Sequence, residues 1–256
     1  MFKKTIAAAA AFLATTVMAS AADLPVKALS PTPIWSWTGF YAGVHVGAGW
    51  GTTESTLTSF SVTPPGIVVP LNFPFSQNNR SGFLGGGQIG YNWQSGWAVF
   101  GVQGDIAGTD IKGTTPCVVA PNCTSRTNWL ATATGRLGAV VLDRGLIYVK
   151  GGGAWMNTDH TVRTNTVPQL QVTSVSSDAW GWLLGFGTEW MITRNWTAFV
   201  EYNYIEFDKK NERFPINPLI AGPGVAFNAD LTNKLSIAKV GVNYKFDWGT
   251  PVVAKY

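Results

Sequence analysis

Six ionisable residues stand singly in stretches that otherwise carry little charge: Asp105, Arg136, Lys150, Glu189, Glu201 and Lys239. Each falls on the polar parity of a segment whose other parity is apolar. Alternate side chains of an extended chain project to opposite faces, so the six share the polar face. Three are acidic and three basic. A lone charge in a dry interior is expensive, whereas a paired, hydrogen-bonded one is tolerated. The set predicts a lumen polar network of crossed ion pairs, completed by Gln88, Gln103, Asn203 and Asn243. Two uses fit it: a structural plug in a narrow interior, or a gated polar path.

Bond-making chemistry is poorly supplied. Covalent catalysis needs a nucleophile with a base in reach. The chain has two histidines. His45 lies on the polar face of its segment, and His160 follows Asp159 in a Thr-rich stretch expected to be a solvated loop. No G-x-S-x-G element is present, and an Asp-His pair alone is no triad. No catalytic, cofactor-binding or metal residues are expected. A lipid-modifying hydrolase built on His45 is the enzymatic alternative.

The polar face needs elements to hold it. The clearest is Trp37–Gly51, WTGFYAGVHVGAGWG, where Phe40, Val44, Val46 and Trp50 alternate with Tyr41, Gly43, His45, Gly47 and Gly49. Period-two alternation over about ten residues marks a β-strand, and about ten tilted residues also span a bilayer. The same design recurs at about 83–93, 97–107, 127–142, 146–157, 178–191, 196–207 and 234–247. Short turns at Gln94–Gly96, Asp143–Gly145 and Thr193–Asn195 alternate with long Thr, Ser, Asn and Pro segments at about 51–81, 108–126, 158–177 and 208–233. An all-β, eight-stranded antiparallel transmembrane barrel of the outer-membrane type, with short turns at one end and four long external loops at the other, has this rhythm.

Alternation does not say which face is inside, since soluble barrels alternate too. The polar face is rich in glycine (Gly43, Gly47, Gly49, Gly86, Gly90, Gly138, Gly181, Gly185, Gly187), which suits a cramped lumen. Aromatics gather at strand ends. Phe40, Trp93, Trp97, Trp190, Trp196 and Phe246 mark the turn end; Trp50, Trp129, Trp155, Trp180 and Phe207 mark the loop end. Two such belts match the girdles of a membrane barrel. An eight-stranded interior is just wide enough to be filled by side chains.

The N-terminus reads as an export signal, residues 1–21: Lys3 and Lys4, an apolar run over Thr5–Met18, and the small-residue site Ala19-Ser20-Ala21. Its removal lowers the formal charge from +4 to +2 and leaves no basic cluster, so no nucleic acid is expected. Residues 22–38 form a Pro-rich periplasmic lead-in, 39–248 the barrel and 249–256 a C-terminal extension. Cys117 and Cys123, in CVVAPNC, are expected to form a local disulfide in an oxidising compartment. Two cysteines do not make a zinc site, and the spacing is not C-x-x-C.

The segments WTGFYAGVHVGAGWG, SGFLGGGQIGYNWQSGWAVFGVQGDIAG and IAKVGVNYKF, with AADLP after the signal, resemble the alphaproteobacterial outer-membrane surface-antigen family, the opacity-type "porin family" barrels. The resemblance covers nearly all of the mature chain. It implies an eight-stranded barrel in the Gram-negative cell outer membrane, set in lipid and lipopolysaccharide and delivered by periplasmic chaperones and the barrel-assembly machinery. It implies a role in envelope integrity and surface contact, with passive diffusion of small solutes as the alternative. Haemin binding, linked to some members, has no motif here to carry it. Barrels of this kind end on an aromatic; Phe246 and Tyr256 both qualify, and the choice is open.

Overall fold

The computed structural model describes residues 35–117, 120–164 and 170–246. The expected signal (1–21), most of the lead-in and the C-terminal extension lie outside these. Eight strands, β1 (Gly39–Val62), β2 (Ile67–Ser95), β3 (Ala98–Cys117), β4 (Ala120–Val141), β5 (Gly145–Arg163), β6 (Gln171–Met191), β7 (Trp196–Pro215) and β8 (Val225–Lys245), form a closed antiparallel barrel. β8 pairs back onto β1 from Tyr41↔Lys245 to Val62↔Val225. No free edge is left within the closed ring.

Near the turn end the alternation is strict. Val44, Val46, Phe83, Ile89, Val102, Leu184 and Phe186 are all more than half exposed on the outer wall, Phe83 at 78%. A continuous apolar wall of this kind would be an aggregation surface in water and is what hydrocarbon requires. The inner wall is tight. Gly90 lies against the Tyr41 ring and Gly187 against the Tyr148 ring, so closely that a Cβ at either glycine would overlap the ring. The glycines give these two tyrosines room to cross the lumen.

The four long segments expected as loops are largely strand. β1 alone has 24 residues, about 80 Å of chain at ~3.3 Å per residue, where about ten residues suffice to cross a bilayer. The connection between β1 and β2 is only Thr63–Gly66. The upper halves of β1, β4 and β5 show little periodicity because their outward faces are polar and their inward faces mix polar residues with a few apolar ones. Thr53, Ser125, Thr127 and Thr158 point inward and are buried, while Thr, Asn and charged residues point outward. Without a continuous apolar face there is little alternation to see.

The upper halves do not continue the ring. Pairing of β2 with β3 stops at Ser81↔Lys112, and pairing of β6 with β7 stops at Gly181↔Phe207. Beyond these points the strands separate into two four-stranded sheets, β7-β8-β1-β2 and β3-β4-β5-β6. Leu57, Phe75, Phe214, Phe227 and Leu231 of the first cluster with Cys123 and Val162 of the second. Side chains bridge the two seams. Asn78 Nδ2 donates to the carbonyls of Gly113 and Cys123, both at 3.0 Å. Ser177 Oγ donates to Glu212 at 2.7 Å, and Lys210 Nζ donates to the Asp178 carbonyl at 2.9 Å. At the top, a single-turn helix α1 (Pro218–Ala221) is capped by Asn217, whose backbone N–H donates to the Val172 carbonyl at 2.7 Å.

Candidate functional site: the layered lumen

The interior is a stack of five layers, alternately apolar and polar. At the turn end Trp37, the last tryptophan before β1, inserts among Val99, Leu146, Tyr148 and Met191. Residues Trp35, Ser36 and Trp37 are held in place there. Trp37 N–H donates to Gln94 Oε1 at 2.8 Å, the Arg144 guanidinium sits 4.3 Å from the Trp35 ring centre, and Lys245 Nζ donates to the Ser36 carbonyl.

Above this lies the charged layer, and all six residues singled out in the sequence are buried in it. Lys239 Nζ lies 2.6 Å from Asp105 Oδ2 and 3.2 Å from Glu201 Oε1. Lys150 Nζ is 2.7 Å from the same Glu201 oxygen. Arg136 Nη2 lies 2.8 Å from Glu189 Oε2. His45 Nε2 joins at 2.8 Å from Asp105 Oδ2. Neutral groups complete the shell. Asn203 Nδ2 donates to Glu201 at 2.8 Å and Asn243 Nδ2 to Glu189 at 2.7 Å. Tyr148 OH donates to Glu201 Oε2 at 2.9 Å, and the same ring stacks under Arg136, 4.5 Å from its Cζ. The tyrosine therefore joins the Arg136–Glu189 pair to the Asp105–Lys239–Glu201–Lys150 chain. Gln88 and Gln103 are bonded to each other and onward to Asn243 and Tyr41.

A third layer, apolar, crosses the barrel above the charges: Leu84, Ile111, Leu130, Met156, Leu183, Ile205, Phe207, Leu235 and Ile237. Phe207 corrects an expectation. Its place at a strand end predicts a position in the outer girdle, but it is 2% exposed and points inward. On β7 the outward residues are the even-numbered Trp196, Ala198, Val200, Tyr202 and Tyr204, and an odd number lands in the lumen. The other expected girdle tryptophans are on the outer wall.

The fourth layer is polar and lies in segments the sequence pattern marks as loops. Arg80, placed by sequence in a loop, is 2% exposed inside the barrel. Its Nη1 donates to Thr127 Oγ1 at 2.9 Å and its Nη2 to Asn233 Oδ1 at 3.1 Å. His160, expected in solvent, is buried on β5 with Nδ1 2.9 Å from Ser125 Oγ. Burial, and then the Arg80 charge, push its pKa from 6.5 down to about 4. The only sequence signal for either residue is position: Arg80 and His160 keep the inward parity of β2 and β5 when the strands are extended past the girdle. The fifth layer is the apolar cluster between the two upper sheets. Cys123 lies in it and is disulfide-bonded; the side chain of Cys117 is outside the described residues.

A closed antiparallel ring with an apolar exterior, two aromatic belts and a packed polar interior defines a β-barrel membrane protein of the outer-membrane class. The family model for the outer membrane protein β-barrel domain matches residues 7–246. The chain belongs to that family, and its place is the cell outer membrane. It is 29% identical over 255 residues to the 31 kDa outer-membrane immunogenic protein of Brucella melitensis, covering 94% of this chain and 98% of that one. It is 28% identical over 199 residues to the 22 kDa outer membrane protein of Rhizobium leguminosarum bv. viciae, 75% of this chain and 72% of that one. Among solved structures, the outer membrane protein OprG from Pseudomonas aeruginosa superposes with a TM-score of 0.54 at 13% identity, covering 84% of this chain and 99% of that one. At that identity the likeness is one of fold.

Proposed function

We propose that this protein is a non-conducting, non-enzymatic barrel that contributes to envelope integrity and presents its upper sheets for surface contact. The observation that carries the reading is the layering of the lumen. Three apolar clusters, at Trp37, at Leu84–Phe207 and at Phe75–Phe227, lie across the axis above and below the charges. An ion following the axis would cross each of them without polar partners, which is costly. The charges are spent on one another, so the network acts as a rivet between strands. Display at the surface is also what the immunogenic name of the Brucella relative suggests.

His45 supports this reading as well. Its Nε2 is held by Asp105 within the charged layer, with apolar layers on both sides, where a lipid headgroup would have to be desolvated to reach it. Planar-bilayer recording tests the proposal, using refolded protein whose fold is verified by heat-modifiable gel migration. A silent bilayer for both the wild type and Lys239→Ala is expected. Steady openings whose size or selectivity changes in Lys239→Ala would replace the proposal with a diffusion channel.

A further inference from the structure

Resting on the reading of the upper sheets as the contact surface, we infer that the upper half of β6 is a docking edge whose partner is the same edge of a second copy in a facing membrane. Above Gly181↔Phe207 the ladder to β7 has ended, while β6 stays paired to β5 as far as Gln171. One side of residues 171–180 is therefore a sheet edge. The Asp178 carbonyl accepts from Lys210 Nζ of β7, so it faces that edge. Along a strand the backbone groups of alternate residues point the same way. The N–H and C=O of Ser174 and Ser176 therefore face the edge as well. The Asn217 N–H covers the Val172 carbonyl at 2.7 Å. Ser174 and Ser176, both exposed, form the open stretch between the two covers.

Composition sets this edge apart. The other edges opened by the seams carry features that block strand addition, namely proline, lysine or shortness. β2 has Pro70 and Pro74, the upper part of β3 is short and holds Pro116, and β7 carries Lys209, Lys210, Arg213 and Pro215. Residues 171–177 of β6 have no proline, glycine or charge. Val172, Thr173 and Val175 among them are β-branched, which suits a paired strand.

Geometry selects the occupant. Two copies in one membrane have β6 running the same way, which rules out an antiparallel ladder between them. Copies in facing membranes are related by a two-fold axis parallel to the membranes. Their β6 strands are then antiparallel, with the same edge of each brought together, an isologous contact. Centred on Val175, the register pairs Ser174 with Ser176 of the second copy and Ser176 with Ser174 of that copy, so both open residues are used twice. The two Val175 side chains meet at the axis as a β-branched cross-strand pair. Asp178 falls opposite Val172 and not opposite a second Asp178. So short a ladder is weak for one pair of molecules and gains strength from many copies between two membranes.

Vesicle clustering tests this, with the full mature chain reconstituted into phosphatidylcholine vesicles and followed by turbidity. Wild-type vesicles are expected to cluster and protein-free vesicles to stay dispersed. Ser174→Pro and Ser176→Pro each remove an N–H that faces the edge and none from the β5 ladder. Both are expected to lose clustering while keeping the heat-modifiable gel migration. Ser174→Ala/Ser176→Ala keeps the backbone groups and is expected to cluster like the wild type. A further readout needs no variant: the Ser174 and Ser176 amides are expected to exchange more slowly in clustered vesicles than in dilute micelles. Proline variants that still cluster, or clustering without that slowing, would overturn the inference. Planar-bilayer current is read separately, so dispersed wild-type vesicles with a silent bilayer would overturn the docking edge and leave the non-conducting barrel standing.

Discussion

Arg136 and Glu189 show what each charged side chain contributes. Their 2.8 Å contact lies in a layer shielded from water on both sides, and Glu189 also accepts from Thr197 and Asn243. Removing one partner of a buried pair leaves the other uncompensated, at a cost of about 3–5 kcal/mol. Arg136→Met is expected to lose about that much in urea unfolding, and the double variant Arg136→Met/Glu189→Leu to lose less than the sum of its two single changes. Strict additivity would mean that the pair is not coupled. His160 gives a pH effect at the same scale. Its folded pKa, near 4, lies below its ordinary 6.5 because burial and Arg80 oppose the charged form, while Glu212 and Asp159 pull weakly the other way. The unfolded chain therefore takes up the proton first. The stabilisation is complete above pH 6.5 and is lost as the pH falls through 4, about 3 kcal/mol in all. His160→Gln is expected to flatten this part of the profile between pH 7.5 and 4.5. A variant with the wild-type slope would assign the acid sensitivity to other groups.

Between residue and molecule stand the strands, and what the sequence revealed of them depended on solvent. Across the membrane one face must be apolar and the other cannot be, so alternation names the strand, its faces and the six lumen charges. Above the membrane both faces of β1, β4 and β5 carry Thr, Ser or Asn, and nothing in the pattern separates a strand from a loop. Arg80 and His160 were lost for that reason: they are inward residues of strands whose outward residues are polar too. Phe207 failed differently, by being aromatic near a girdle while holding the wrong parity. The insertion of Trp37 into the lumen was not legible, because nothing local distinguishes a tryptophan that enters a lumen from one at a membrane surface. The insertion itself is testable. Trp37 is 2% exposed, and truncating a buried aromatic costs about 3–5 kcal/mol. Trp37→Ala is expected to lower the unfolding midpoint accordingly while the charged and upper apolar layers keep the bilayer silent. An unchanged midpoint would mean that the tryptophan merely rests at the mouth.

Taken whole, the molecule is two structures on one set of strands: a closed ring in the membrane and a pair of facing sheets beyond it. The ring owes its stability to an unbroken hydrogen-bond circuit, which hydrocarbon enforces because an unpaired backbone group there has no water to turn to. The upper sheets stand where water can satisfy an edge, so the circuit is free to open between β2 and β3 and between β6 and β7. Side-chain bridges such as Ser177–Glu212 and Asn78–Gly113 take over, and an apolar cluster replaces the ring as the cohesive element. Cohesion by a small cluster and a few bridges is weaker than cohesion by a closed ladder, and local opening should follow that difference. Amide hydrogen exchange in detergent micelles is therefore expected to divide single strands. On β6, residues 181–191 should be protected on both sides, whereas within 171–180 the amides facing the β7 seam should exchange much faster than those paired to β5. β7 should divide in the same way after Phe207. Uniform protection along β6 from Gln171 to Met191 would contradict the open seam and restore a single tall barrel.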